Sequence, residues 1–365
     1  MIGSQGTARG YLCAMALSIT DDTRRHSRTS QGSSFLGLKF NHLKLKPSDT
    51  DDDAKGSLGL NLLYHPADPV VDFVFVHGLG GGSRKTWSKS SNLKHYWPRW
   101  LAQDSDFQDV RIHSFGYNSD WASMKQDVSN ISDFALALLN ALQYVDTIQN
   151  PSRTPIVFIV HSMGGLVVKK ACLLVRQDAA FQDLAARFRT IVFLATPHRG
   201  SDGAHVINSV LRLSFAHTSR HYVEELERNS TTLQYINEDF RHIAEKLELY
   251  SFFETVKTTF LIGGVGNVMI VDKSSATMDY SHEHRFPIQA NHRGICKFDE
   301  RNDPNYVLIK GVLASIVRAS GEESEYSTPP EISCDSSEIV DRAHRKDTGT
   351  KGKSQDSPSF LGCAR

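Results

Sequence analysis

The sequence predicts an α/β fold with a mostly parallel central sheet and helices on both of its faces. Short apolar runs rich in β-branched and aromatic residues recur along the middle of the 365-residue chain. Longer segments with helical periodicity separate these runs, as expected of strand–helix–strand units. The runs are apolar almost throughout, as strands covered on both faces are. In such sheets the active residues lie on loops at the carboxyl ends of the strands.

The predicted elements follow one another without an internal repeat. The strands cover residues 58–64, 70–76, 110–115, 156–160, 190–194 and 249–253. The helices cover residues 93–102, 128–145, 164–177, a stretch across 222–247, and 306–318. Residues 201–246 lie between two strands and contain apolar pieces, so we expect a helical lid-like insertion there.

The two ends of the chain differ in composition from the middle. Residues 1–56 are rich in Ser, Thr, Gly and charge, and residues 320–365 are again polar. Because such segments cannot bury enough apolar surface, we expect a disordered leader and a disordered tail around a domain over 57–319. The apolar run 11–19 is far shorter than the roughly 20 residues of a membrane span, and we assign it to the leader.

The overall charge excludes one class of partner. The chain has 41 basic and 41 acidic residues and a pI near 7.3, so no general attraction to nucleic acid is expected. Its five cysteines are scattered without C-x-x-C spacing, which favours a reducing, intracellular compartment. The oligomeric state is not indicated by the sequence.

Residues 156–168 have the pattern of a nucleophile elbow. An apolar strand, a V-H-S-M-G-G turn and an amphipathic helix follow one another, and Ser162 lies at the turn. A hydroxyl needs such an exposed position beside a histidine base to act as a nucleophile. Val160 replaces the first glycine of G-x-S-x-G, so we expect crowding, which Val160→Gly would relieve while preserving or raising activity. The alternative is that Ser162 only caps the helix.

A glycine-rich loop, H-G-L-G-G-G over residues 77–82, follows the second predicted strand. Acyl transfer places negative charge on a carbonyl oxygen, which backbone N–H groups stabilise. We assign these donors to the amides of Leu79 and Met163, and we place His77 and Gly78 beside the substrate pocket. The alternative is a flexible turn. A phosphate loop is excluded, because an arginine precedes the lysine where that motif needs glycine.

Position in the chain selects the base among 16 histidines. In this fold the order is nucleophile, acid, base, and the base precedes a late helix. His292, in the segment A-N-H-R-G-I-C-K-F, meets this condition. His161 adjoins Ser162 and should point away from its hydroxyl, so we place it with the pocket residues. His198 precedes any acid candidate, and we expect it to line the pocket.

The acid must close a strand, so that its carboxylate can reach the far nitrogen of His292. Glu254 directly follows the strand over residues 249–253 and is the first choice. Asp272 closes a second apolar run and is the alternative, although the residues after it look like the start of a helix that it would cap. Asp279 and Glu283 also lie in this interval.

The sequence indicates neither a cofactor nor a metal. His282 and His284 share H-x-H spacing, but no cysteine or carboxylate cluster at ligand spacing accompanies them. We interpret them as surface histidines.

Read together, V-H-S-M-G-G, H-G-L-G-G, F-L-A-T-P-H-R-G-S and N-H-R-G-I-C-K-F resemble a known family. The chain is similar to the serine active-site-containing lipase-like proteins and to the related hydrolase domains at the N-termini of fungal NACHT and ankyrin-repeat proteins. The resemblance covers about residues 57–319 and implies an α/β-hydrolase fold. It gives Ser162 and His292 the nucleophile and base roles, and it places the segment from Thr196 to Ser201 at the border of the site.

The resemblance also has consequences beyond the fold. Members of the family are linked to phospholipid remodelling, to mitochondria and the endoplasmic reticulum, or to fungal signalling, which implies peripheral membrane association. Asn291 stands where the family usually has an aspartate, so a local hydrogen bond is in question.

We therefore predict a serine hydrolase that cleaves carboxylic esters, with lipid or acyl esters as substrates, through an acyl-enzyme. The alternatives are a thioesterase acting on acylated proteins and a catalytically weak signalling or scaffold domain.

Overall fold

The computed structural model describes residues 55–119, 130–148, 154–198, 234–259 and 266–326. The strands are β1 (Gly59–Tyr64), β2 (Val71–Val76), β3 (Val110–Gly116), β4 (Ile156–His161), β5 (Phe188–Leu194), β6 (Glu248–Glu254), β7 (Thr258–Thr259), β8 (Asn267–Val268) and β9 (Glu283–Ile288). Seven of them form one sheet in the order β1-β3-β2-β4-β5-β6-β9, and β7 pairs with β8. Only β1 runs antiparallel within the large sheet.

Helices pack against both faces of this sheet. They are α1 (Pro98–Leu101), α2 (Ile131–Tyr144), α3 (Gly164–Gln177), α4 (Gln182–Ala185), α5 (234–244), α6 (Lys273–Ala276) and α7 (Pro304–Tyr326). A capping box of Asn130 and Asp133 starts α2, because each side chain accepts the other's backbone N–H. The predicted parallel sheet with helices on both faces is confirmed, and the architecture is that of an α/β hydrolase.

The central strands are buried on both faces. In β2, Val74 and Val76 belong to the core cluster beneath α2 and α3, whereas Phe73 and Phe75 belong to the cluster beneath α7. Successive strand residues point to opposite faces, so a strand between two helical layers must be apolar at every position. This explains why the sequence shows continuous apolar runs rather than alternation.

Two elements differ from the sequence prediction. β9 was not predicted, because its Glu-His-Arg-Phe-Pro-Ile sequence has the charge and proline that suit an edge strand. The predicted helix over 93–102 is divided into a 3₁₀ turn at Leu93–His95 and α1. Pro98 lacks the amide hydrogen that would continue a helix from the preceding turn.

The amino end of the sheet holds a buried charge cluster. Asp72, on β2, is fully buried and accepts hydrogen bonds from Arg111 on β3 and from Arg187 just before β5. The Nε of Arg187 also donates to the Thr154 carbonyl at 2.9 Å. Both carboxylate oxygens of Asp72 are thus bound by guanidinium groups.

The predicted lid falls mostly outside the described residues, as do residues 1–54 and 327–365. The described part of the predicted insertion contains α5, which buries Phe240 and Ala244 in the same core cluster as α2 and α3. Residues 234–244 are therefore a core helix. α7 continues to Tyr326, beyond the predicted domain boundary at residue 319. None of the described helices is both long and apolar enough to cross a membrane.

Candidate active site

Ser162 lies on the turn between β4 and α3, at the carboxyl end of the sheet. Its φ of 54° is in the left-handed region, and its N–H donates to the Leu194 carbonyl at 3.0 Å. This strained conformation is the one that an elbow serine needs. A Cβ at Gly164 would overlap the Val76 carbonyl, and one at Gly165 would overlap Thr196. The two glycines therefore let α3 start close to β2 and β5.

Val160, where crowding was expected, does not disturb the register of β4. Val160 is fully buried in the core cluster beneath α2 and α3, and it keeps its parallel register with Val76 and Phe193. The close approach of strand and helix is provided by Gly164 and Gly165 instead. Val160 thus contributes packing under the elbow.

The structure brings Ser162, His292 and Glu254 together. The Nε2 of His292 is 3.0 Å from the Ser162 Oγ, and its Nδ1 is 3.5 Å from Oε1 of Glu254. Glu254 is the last residue of β6, and its side chain is 0% exposed. Hydroxyl, imidazole and carboxylate therefore lie in the order that general-base activation of a serine requires.

A backbone amide positions the carboxylate of Glu254. The Val271 N–H donates to Oε1 at 2.6 Å, whereas Oε2 has no hydrogen-bond partner among the described residues. Asp272, the alternative acid, caps α6 by accepting from the Ser275 N–H at 2.8 Å. Burial acts to raise the pKa of Asp272, but hydrogen bonds from Ser274 and Ser275 hold it below its usual value. Asp272 thus serves as the cap of α6.

The loop that carries His292, residues 289–297 and here called the base loop, has a side-chain hydrogen bond at Asn291. The Oδ1 of Asn291 accepts from the Gly294 N–H at 2.9 Å, a bond that an aspartate would also make. On the strand side, the Thr255 N–H donates to the Ile288 carbonyl at 3.0 Å. Both bonds hold the backbone on either side of His292.

The glycine-rich loop lies against the elbow. A Cβ at Gly78 would come within 2.9 Å of the Ser162 Cβ, so only glycine permits this approach. Gly80 has a φ of 65°, a conformation that glycine adopts readily. Among the described residues, neither the Leu79 amide nor the Met163 amide donates to a backbone carbonyl. The oxyanion role of these two amides stays a prediction.

His77, predicted to lie beside the pocket, is fully buried beneath the glycine-rich loop. Its ring stacks on Tyr117 with centroids 4.3 Å apart, and the Tyr117 N–H donates to its Nε2. Because that nitrogen accepts, Nδ1 carries the hydrogen and donates to the Gly78 carbonyl at 2.9 Å. Burial lowers the pKa of His77 to about 4. His77 is a neutral support of the loop and has no exposed surface.

The other predicted pocket residues are also buried. Thr196 is 0% exposed and follows Ala195, whose φ of 48° is unusual for a residue with a side chain. His198 donates its backbone N–H to the Ser275 carbonyl, and its ring lies edge-on to Phe193. Thr196 thus packs at the start of α3, beside Gly165, and His198 packs between Ser275 and Phe193.

His161 contacts the base loop. Its ring is largely buried, and its Nε2 is 2.9 Å from the carbonyl oxygen of His292. Burial and the neighbouring His292 lower the pKa of His161 to about 3. Its side chain is directed towards the backbone of His292.

Sequence reasoning missed the segment that binds the carboxylate of Glu254. Residues 266–278 provide the Val271 amide to Glu254 and the Ser275 carbonyl to His198, while Ile270 and Val271 form a small apolar cluster against Leu79. These contacts use backbone atoms and ordinary apolar side chains, so no residue pattern signals them. Across the described residues, no group of three or more His, Cys, Asp or Glu could hold a metal ion.

Comparisons with known proteins identify relatives of the chain. A family model described as the PGAP1-like alpha/beta domain matches residues 69–287. Protein SERAC1 of Danio rerio is 31% identical over 274 residues, which cover 69% of this chain and 39% of that protein. Protein SERAC1 of Homo sapiens is 30% identical over 256 residues, covering 64% and 37% respectively. The chain spans about two fifths of the length of these curated relatives.

Solved esterase structures also align with the chain at low identity. One comes from a structural analysis of two fungal esterases from Rhizomucor miehei, with a TM-score of 0.46 and 11% identity over 70% of this chain and 77% of that one. Another is esterase B from Lactobacillus rhamnosis, with a TM-score of 0.45 and 15% identity over 72% and 80%.

Proposed function

Because the chain belongs to the PGAP1-like alpha/beta domain family, we propose that it is a serine hydrolase that cleaves carboxylic esters. One observation carries the proposal: the Ser162 Oγ is 3.0 Å from a histidine nitrogen whose opposite nitrogen faces a buried carboxylate. A helix cap needs neither of these partners. The arrangement therefore supports a nucleophile rather than a structural serine.

The proposed reaction begins with attack of the Ser162 Oγ on the ester carbonyl carbon. His292 accepts the hydroxyl proton at Nε2, and the carbonyl oxygen becomes an oxyanion bound by the amides of Leu79 and Met163. Collapse of the tetrahedral intermediate breaks the bond to the alcohol, which leaves with the proton from His292. Water then attacks the acyl-enzyme by the same route and releases the carboxylic acid.

Glu254 is the proposed acid of this triad. Its carboxylate faces Nδ1 of His292, so it holds the tautomer with the hydrogen on Nδ1 and stabilises the imidazolium that forms during attack. The separation of 3.5 Å is longer than a hydrogen bond, and such contacts shorten when substrate binds. Glu254 acts through His292 and does not touch the substrate.

The substrate class and the cellular location are proposed from the resemblance to lipase-like proteins. We expect lipid or acyl esters and an intracellular location, either cytoplasmic or in peripheral contact with a mitochondrial or endoplasmic reticulum membrane.

Labelling with a fluorophosphonate probe tests the serine mechanism. We expect the wild-type protein to be labelled and to hydrolyse a short p-nitrophenyl ester. We expect Ser162→Ala to remain folded but to show neither labelling nor hydrolysis. Ser315→Ala is the matched control, since this exposed serine on α7 bonds only its own helix. Hydrolysis retained by Ser162→Ala would contradict the proposal.

Paired substrates distinguish an esterase from a thioesterase. Oxygen and sulfur esters of the same acyl chain are compared by kcat/KM on the wild-type protein. A higher value for the thioester would move the substrate class to acylated thiols with the same triad.

A further inference from the structure

His161 is the last residue of β4 and immediately precedes Ser162. Alternation along β4 places Val157 and Ile159 on the face of the sheet that also buries Ile288 and Ile295. His161 continues this face at the end of the strand. The segment that carries His292 therefore lies directly over its side chain.

The contact between His161 and the base loop is a hydrogen bond of known direction. A carbonyl oxygen only accepts, so the Nε2 of His161 carries the hydrogen and donates it to His292 at 2.9 Å. The two imidazole rings have centroids 5.1 Å apart. A Cβ at Gly78 would lie 3.4 Å from the Nδ1 of His161, so the ring fills the space between the glycine-rich loop and the base loop.

The other bonds of the base loop hold its flanks. Thr255 binds the Ile288 carbonyl, Val256 binds the Ala290 carbonyl, and Asn291 binds the Gly294 amide. Within the described part of the chain, His161 supplies the only hydrogen bond to the carbonyl of His292 itself. The peptide plane that sets the direction of the base is thus fixed by the residue next to the nucleophile.

The bond persists over a wide pH range. Burial keeps the ring of His161 neutral, with a pKa of about 3, and the charged or titratable groups that face it are His292, Lys297 and His77. A neutral donor next to the base adds no fixed charge that would oppose protonation of His292 during attack. The bond therefore positions the base without changing the charge around it.

We infer that His161 is a positioning residue, which holds His292 in line with Ser162 through its carbonyl oxygen. This inference rests on the proposed serine hydrolase function. Misplacement of a reacting group by about 1 Å costs up to roughly 100-fold in rate. Loss of the bond should therefore lower kcat more than it changes KM.

A matched pair of variants separates the hydrogen bond from packing. His161→Gln and His161→Met have side chains of similar length and volume, but only glutamine keeps an N–H donor near the position of Nε2. His161→Leu is a second non-donor in case methionine does not fold. His113→Gln is the control for loss of a buried histidine, because His113 lies on β3 and bonds Thr147 away from the site.

Steady-state kinetics on a p-nitrophenyl ester and crystal structures of the variants provide the readouts. We expect His161→Met to lower kcat by about 10-fold to 100-fold at nearly unchanged KM, and His161→Gln to retain most of kcat. In the methionine variant the Nε2 of His292 should move out of hydrogen-bond distance of the Ser162 Oγ.

Equal kcat values for the glutamine and methionine variants, or an unmoved His292 ring in the methionine variant, would overturn the inference. The crystallographic readout applies even to an inactive protein. Absence of probe labelling in the wild type would instead contradict the proposed function, so the two failures are distinguishable.

Discussion

The two ends of the central sheet bury charged groups in opposite ways. At the amino end, both oxygens of Asp72 are bound by Arg111 and Arg187. At the carboxyl end, Glu254 has one oxygen without a hydrogen-bond partner among the described residues, and no lysine or arginine forms an ion pair with it there. A buried carboxylate with both oxygens bound supports the fold, whereas one with bonding capacity left can respond to a proton moving nearby.

Glu254→Gln tests the carboxyl end of the sheet and should have the largest effect on kcat. We expect kcat to fall by about 10⁴-fold, as loss of a triad carboxylate does elsewhere, because the amide cannot stabilise the imidazolium. Ester hydrolysis by the folded protein provides the measurement. Asp272→Asn is the matched control, and it should lower kcat far less, because asparagine also caps a helix. The reverse ranking would assign the acid role to Asp272.

Asp72→Asn tests the charge cluster at the amino end of the sheet. Removing this charge leaves two buried guanidinium groups without their carboxylate, so we expect a loss of about 3–5 kcal/mol in the free energy of unfolding. Urea denaturation measures it. Because the cluster lies at the opposite end of the sheet from Ser162, kcat of the protein that remains folded should match the wild type. A selective fall in kcat would show that the two ends are coupled.

Val160→Gly probes the core between the two ends. The buried packing of Val160 reverses the expectation of relieved crowding, because glycine would leave a cavity and a more flexible strand. We expect a loss of about 2–4 kcal/mol in the free energy of unfolding and no gain in kcat. Thermal unfolding and ester hydrolysis measure the two quantities. A higher kcat at unchanged stability would restore the crowding interpretation.

Low pH should destabilise the fold, because three buried histidines are neutral in the folded protein. Burial lowers the pKa of His77 to about 4, and those of His113 and His161 to about 3. The unfolded chain binds these protons near pH 6.5, before the folded protein does, so stability falls as pH decreases below that value. Each histidine contributes about 1.4 kcal/mol per pH unit until its folded pKa is reached.

Urea midpoints between pH 7.5 and about 4.5 measure this slope. His113→Gln should reduce the slope of the free energy of unfolding against pH by the contribution of one histidine. The contributions of His77 and His161 should remain. A stability that stays constant between pH 7 and about 5 would show that these histidines are accessible to protons in the folded state.

The sequence predicted the elements that require a particular type of residue at a fixed spacing. Continuous apolar runs predicted the inner strands, and the small residues after Ser162 predicted the elbow, because both constraints act through side-chain chemistry at fixed spacing. The position of Glu254 at the end of β6 followed from the same reasoning. Its role, like that of Ser162 and His292, stays a prediction until activity is measured.

The features that the sequence did not predict depend on where a residue lies in the folded structure, and the spacing of residue types does not show this. β9 has few apolar residues because it lies at a sheet edge, so its sequence resembles a loop. His77 reads as a pocket residue from its place in the loop, but the stacking of Tyr117, distant in sequence, turns it into a buried support. Contacts between residues far apart in the chain decide such cases.

The amide that aims Glu254 has a consequence for how the site can change. Because the Val271 N–H makes this bond, any apolar residue that fits the buried site at position 271 keeps the donor, whereas proline lacks it. The number of residues between β8 and α6 is far less free, since one insertion or deletion would shift the donor and the Ser275 carbonyl together. This connection should therefore accept apolar substitutions at position 271 more readily than changes of length.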